Sequence, residues 1–279
     1  MSVRVLCLHG MGVDGNVFRA MTASFRSSLP SDCDFTFLDG PSICGPAPGA
    51  AAFYDGPYRC WYNTPSRERV AKAHSYVKEA ALDKGKFDVV VGFSQGAALA
   101  ASILLHHALE HPDEPPLFKA AFFISAPLPF SRDLEHGIDV RSYFDIDASK
   151  PLPTNRPTVP PDFLIPQRGA SNGAAGAGAK VADVTFGFET ADKHVTADEG
   201  GPFYNIFHPT VDEVRISIPT GHVYGKKDPW RKHSLELMDF CRRSSMVRLE
   251  HDGGHEIPRD AGDDIAELFD ELLTMAGLD

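Results

Sequence analysis

The sequence predicts an α/β fold: a mostly parallel sheet of about six strands flanked by helices. Three observations carry this. The apolar run Phe87-Asp88-Val89-Val90-Val91 enters Gly92-Phe93-Ser94-Gln95-Gly96 and continues into the small helix formers Ala97-Ala98-Leu99-Ala100. Short apolar runs alternate with helix-period segments along all 279 residues, the pattern of β-α-β crossovers. The residues suited to chemistry fall at the carboxyl ends of the expected strands, where open α/β sheets build their sites. A strand feeding Gly-x-Ser-x-Gly and then a helix is a nucleophile elbow, which specifies the α/β-hydrolase version of this fold. A single domain spanning 1–279 follows, with an insertion at about 127–214.

The elements follow in order. Val3–Leu8 reads as a buried strand, and His9-Gly10-Met11-Gly12 follows it. A loop at that place offers a backbone N–H to a developing oxyanion, jointly with the residue after the nucleophile. The expected oxyanion hole is therefore the peptide N–H groups of Met11 and Gln95, with little role for their side chains. A helix over about 16–28, a strand at 35–38 and a helix at 66–84 precede the elbow. The elbow joins a strand at 87–91 to a helix at 95–110. Strands at 119–125, 216–224 and 246–250 and helices at 230–242 and 261–275 complete the pattern. A chain that opens on the strand carrying the oxyanion loop is expected to lack the two leading strands of larger hydrolases.

Ser94 needs a base, and the base needs an orienting acid. In this fold the order along the chain is Ser, acid, His. Asp228 ends the strand His222-Val223-Tyr224-Gly225, and His255 follows the double glycine Gly253-Gly254 after the last strand. These are the expected acid and base. His106, His107 and His111 fall on or just after the helix that leaves the elbow, while His222 begins a strand and His251 ends one. All five are expected as packing or surface residues. Asp252 is too close in sequence to His255 to approach its ring from behind. The expected reaction is acyl transfer to Ser94 and then to water, with the leaving group, alcohol or thiol, left open.

Leu6-Cys7-Leu8-His9-Gly10 with Asn16-Val17-Phe18, then Tyr58-Arg59-Cys60-Trp61-Tyr62, Gly92–Gly96, Phe122-Phe123-Ile124-Ser125 and Gly253–Pro258 together resemble the FSH family of serine hydrolases. The resemblance covers roughly 3–126 and 215–275. It implies Ser94, Asp228 and His255 as the triad. It also implies a small-molecule acyl ester or carrier-bound thioester as substrate, and a polyketide synthase as a conceivable partner, because members include esterases and polyketide-releasing thioesterases. The chain departs from the family pattern at Gly221, an extra residue before His222, and in the length of 127–214.

That insertion is dense in proline, then carries the Gly/Ala run Gly169–Ala179 and a strand-like Val181–Phe188. A lid over Ser94 is expected, with Leu128, Phe130, Phe144, Phe186 and Phe188 as its apolar members; a surface excursion is the alternative. Phe53, Tyr54, Tyr58, Trp61 and Tyr62 are expected in an acyl pocket or in the core. A formal charge of −11 disfavours nucleic acid and anionic membranes as partners. No run has the length of a membrane span, and no secretory leader is expected. Five scattered cysteines fit free thiols and a cytoplasmic setting. No zinc spacing or phosphate-binding glycine loop is evident, so no metal or cofactor is expected. Two other function classes remain: a catalytically inactive hydrolase fold that binds ligands, and a peptidase.

Overall fold

A computed structural model describes residues 2–29, 32–141 and 204–278. The elements run β1 (Val3–Leu8), α1 (Gly15–Met21), α2 (Ala23–Ser27), β2 (Cys33–Leu38), β3 (Ser42–Ile43), β4 (Arg59–Cys60), α3 (Arg67–Asp83) and β5 (Val89–Phe93). They continue α4 (Gln95–Glu110), β6 (Ala120–Ile124), β7 (Phe130–Ser131), β8 (Ile138–Asp139), β9 (Asn205–Ile206), β10 (Thr220–Gly225), α5 (Arg231–Met238), β11 (Met246–His251) and α6 (Gly262–Met275). Six strands form one sheet in the order β11-β10-β6-β5-β1-β2. Every pairing in it is parallel.

Alternation along the strands sorts side chains onto two buried faces. Val3, Val5 and Cys7 of β1 join Phe18, Phe25, Ile265, Phe269 and Leu272 on the α1-α2-α6 side. Leu6 and Leu8 point the other way, into Val70, Val77, Leu99 and Ile103 of α3 and α4. With helices on both faces, central strands such as Val89–Phe93 have no exposed residue, which explains their unbroken apolar composition.

The structure departs from the sequence-based expectation in two places, and it shows how the extra glycine is accommodated. The helix expected over 16–28 is two helices, because the buried Thr22 turns its hydroxyl back to the Phe18 carbonyl at 2.9 Å. Such a bond competes with the helical ladder. The strand expected from 216 begins at Thr220, after Pro219, which has no N–H to give a neighbouring strand. Ile216 instead makes an isolated parallel bridge to Cys241. The extra glycine Gly221 lies in β10, where a Cβ would come 2.4 Å from the Phe122 ring, so that ring fills the space a side chain would need.

The described flanks of the insertion form a three-stranded sheet, β7-β9-β8, with antiparallel pairings. It packs on the α3–α4 side of the molecule: β7 contacts both helices, and Phe207 is buried against Phe240 at 6.3 Å between ring centres. Phe144, Phe186, Phe188, the Gly169–Ala179 run and the strand-like Val181–Phe188 lie outside the described residues.

Candidate active site

β5 reaches α4 through one residue, Ser94, whose backbone sits at φ 52°, ψ −119°. This region favours glycine, and a side chain there is strained. The strain is accommodated by close packing of the elbow's glycines. A Cβ on Gly92 would lie 2.4 Å from Ala97 Cα, and one on Gly96 would lie 2.1 Å from the Leu8 carbonyl oxygen. Backbone therefore meets backbone where α4 starts and β1 ends. Gly10 is equally tight, since its Cβ would lie 2.8 Å from the Phe93 ring and 3.3 Å from Ser94 Cβ. The Gly10–Met11 segment thus lies directly against the elbow.

The loops after β10 and β11 bring the other two expected residues to Ser94. His255 Nε2 is 2.8 Å from Ser94 Oγ. On its far side His255 Nδ1 is 2.9 Å from Asp228 Oδ2 and 3.1 Å from Oδ1. The Asp228 side chain is fully buried and its Oδ1 also accepts the Trp230 N–H at 2.8 Å, which holds the carboxylate in one orientation. A strained hydroxyl, an imidazole and a buried carboxylate in line can pass a proton from the hydroxyl to the ring and stabilise the resulting imidazolium. Asp252, the rejected acid, points elsewhere and pairs with Lys226 at 2.7 Å. Of the rejected histidines, His222 is buried against Phe123 and burial pushes its pKa down to about 3. His106 is buried beside Phe207 and His74, and burial again lowers it to about 3.

Of the expected oxyanion pair, Gln95 follows Ser94 directly in the chain, whereas Met11 comes from the loop after β1. Met11 lines the same cavity as Ser94. Gln95 opens α4, where a backbone N–H has no partner within the helix. The Gln95 side chain has a place the sequence did not disclose. Its Oε1 accepts the Trp61 N–H at 2.9 Å and its Nε2 donates to the Tyr62 carbonyl at 2.8 Å.

Ser94 and His255 open onto a cavity of about 610 Å³. One wall is α1, through Val17, Ala20 and Met21; the facing wall is the strap from Gly45 to Tyr54. Val17, Ala20 and Met21 recur at helical spacing, the only sequence signal for that wall. The aromatic set divides. Phe53 and Tyr54 line the cavity, Phe53 being 92% exposed. Tyr54 is tied down by its hydroxyl, which donates to Asp14 Oδ2 at 2.7 Å. Tyr58 braces the strap from behind, donating to the Tyr54 carbonyl. Trp61 and Tyr62 belong to the core. Leu128 is in that core too and Phe130 packs against it; neither lines the cavity. Among the described residues no cluster of three or more His, Cys, Asp or Glu is placed to hold a metal ion, and no helix is long and apolar enough to cross a membrane.

The chain is 29% identical over 280 residues to "Esterase FPY3" of Fusarium mangiferae, covering 98% of both chains. It is 27% identical over 274 residues to "Esterase alnB" of Emericella nidulans, covering 93% of this chain and 92% of the other. Among solved structures, ClbQ from the colibactin NRPS/PKS pathway superposes with a TM-score of 0.51 at 12% identity, covering 100% of this chain and 99% of its own. Arabidopsis thaliana SOBER1 gives 0.50 at 14% identity over 98% and 100%; both likenesses are of fold. The family profile described as "Serine hydrolase (FSH1)" matches residues 1–264. Matched over nearly its whole length, and sharing its extent with relatives named as esterases, this chain belongs to the FSH1 family of serine hydrolases and is an ester-hydrolysing enzyme.

Proposed function

We propose that the enzyme cleaves an ester or thioester of an elongated apolar carboxylic acid through a Ser94-bound acyl-enzyme. The observation that carries this is the unbroken contact from Asp228 through His255 to Ser94 Oγ, 2.9 and 2.8 Å long, opening onto an apolar cavity. Ser94 Oγ attacks the acyl carbonyl while its proton passes to His255 Nε2. Asp228 holds Nδ1–H and stabilises the imidazolium. The negative oxygen of the tetrahedral intermediate is held by the Met11 and Gln95 peptides. As that intermediate collapses, the bond to the leaving oxygen or sulfur breaks and His255 returns the proton to it. Water, deprotonated by the same imidazole, then releases the acid and restores Ser94. The acyl chain lies between α1 and the strap that carries Phe53. A chain of polyketide type, delivered as a carrier-bound thioester, fits an apolar site of this kind.

The test combines fluorophosphonate labelling with a substrate panel. Labelling of the wild type and not of Ser94→Ala, with faster turnover of medium- and long-chain acyl thioesters of N-acetylcysteamine than of p-nitrophenyl acetate, is the expected result. An unlabelled, inactive protein would instead be a binding module. Hydrolysis of peptides in preference to esters would make it a peptidase.

A further inference from the structure

Two peptide units of the proposed oxyanion site come from chain segments far apart in sequence, and one buried network joins them. His9 is completely buried, and burial disfavours its charged form. Its Nε2 is 2.8 Å from the Gly40 N–H, a group that can only donate. Nε2 is therefore the unprotonated nitrogen, and Nδ1–H donates to the Gly10 carbonyl at 2.7 Å. That carbonyl belongs to the same peptide unit as the Met11 N–H. In a trans peptide the two point in opposite directions, so pinning Gly10 O fixes where the Met11 N–H is aimed.

The second half of the network is aromatic and amide. Trp61 lies tilted against His9, with ring centres 5.1 Å apart and planes at 32°, and its Nε1–H donates to the His9 carbonyl at 2.8 Å. Its backbone N–H donates to Gln95 Oε1, while Gln95 Nε2 donates to the Tyr62 carbonyl. The carboxamide is thus used in both directions. The end of β1, the 61–62 segment and the first residue of α4 are held as one unit.

We infer that the Gln95 carboxamide, Trp61 and His9 are positioning residues that set the relative aim of the Met11 and Gln95 N–H groups, and that their contribution is felt in the transition state rather than in substrate binding. This rests on the reading of those two peptides as the oxyanion site. Donors fixed in advance stabilise a developing oxyanion without reorganising during the reaction. A donor turned away by part of an ångström loses most of that advantage and leaves contacts to the acyl chain untouched.

The test uses Gln95→Leu, similar in volume and unable to make either bond, and Trp61→Phe, which keeps a ring and removes the Nε1–H. For a p-nitrophenyl ester, kcat should fall roughly ten- to a hundredfold, less than loss of a whole donor, with KM within about twofold. Affinity for an alkylboronic acid, which places a tetrahedral oxyanion at the site, should fall by a similar factor. Affinity for the product carboxylic acid should hold. Gln95→Asn, which keeps the amide on a shorter stem, should recover part of kcat. If Gln95→Leu fails to fold, Trp61→Phe alone decides. Unchanged kcat and boronate affinity in a folded variant, or a rise in KM that accounts for the whole loss, overturns the inference. Failure of the underlying reading looks different: Ser94→Ala would keep activity, or the boronate would not compete with fluorophosphonate labelling.

Discussion

Ser94 carries both the proposed nucleophile and the backbone strain of the elbow, and two substitutions separate them. Ser94→Ala keeps a Cβ at φ 52° and loses the hydroxyl; Ser94→Gly loses both. Each should lower turnover by several powers of ten. Ser94→Gly should nevertheless be the more stable of the two by about 1 kcal/mol, since glycine adopts this conformation without a steric cost; urea denaturation compares them directly. Equal stability would mean that the strain resides elsewhere. At the proposed acid, Asp228→Asn keeps an oxygen for the Trp230 N–H but cannot stabilise an imidazolium. It should cripple kcat, though less than His255→Ala, because the ring survives in a poorer orientation. Asp252→Asn breaks only an exposed pair with Lys226 and should leave the rate as it is.

At the scale of elements, the site exists because three backbone segments touch without side chains between them. Gly96 is where α4 meets the end of β1. Alanine there must push the helix off the Leu8 and His9 carbonyls, 2.1 and 2.6 Å from its Cβ. Gly96→Ala should therefore cost both stability, about 1–3 kcal/mol as for other overpacked cores, and kcat, because the Ser94–Gln95 peptide moves with the helix. Thermal denaturation and steady-state kinetics on the same preparation test this. The strap is the second element of the proposed site. Phe53 lines the cavity and is exposed, so an acyl chain held there, as proposed, would bury it. Phe53→Ala should lower kcat/KM for a p-nitrophenyl decanoate by roughly tenfold, a fraction of what a fully buried Phe contributes. The acetate, too short to reach the strap, should be unaffected, as should the melting temperature. Equal losses on both esters would remove the strap from acyl recognition.

For the molecule as a whole, buried neutral histidines set its response to acid. Burial drives His222 and His106 to about 3 and lowers His74 well below the ordinary value. The Asp133 carboxylate, 3.6 Å from His106, offsets only part of that effect. In the unfolded chain each ring titrates near 6.5. Because the folded pKa values are the lower ones, unfolding takes up protons below about pH 6.5. Stability is thus fully present above that pH and declines as pH falls, by up to about 1.4 kcal/mol per pH unit for each ring. Urea midpoints between pH 7.5 and 5 should fall accordingly. In His222→Leu, whose ring shift comes from burial alone, the slope should shrink by about one proton.

The sequence by itself determined the layered α/β fold, the elbow, and Asp228 and His255 as partners of Ser94. Those features rest on local signals: apolar runs of strand length, helical periodicity, glycines at fixed offsets from a serine, and turns that close strands. Helix and strand ends came through to within a few residues, except where Thr22 and Pro219 disturb the backbone bonding pattern. What only the tertiary structure decided depends on residues distant along the chain. Nothing periodic relates Gln95 to Trp61, 34 positions earlier, yet their bond joins the elbow to the core and gives the Gln95 side chain a role the motif alone conceals. Phe53 and Trp61 are equally aromatic in the sequence; one lies in the segment joining β3 to β4 and faces the cavity, the other directly follows β4 and lies in the core. Which aromatic residue faces the cavity is decided by how the segments pack, and packing is a property of surfaces that meet only once the chain has folded.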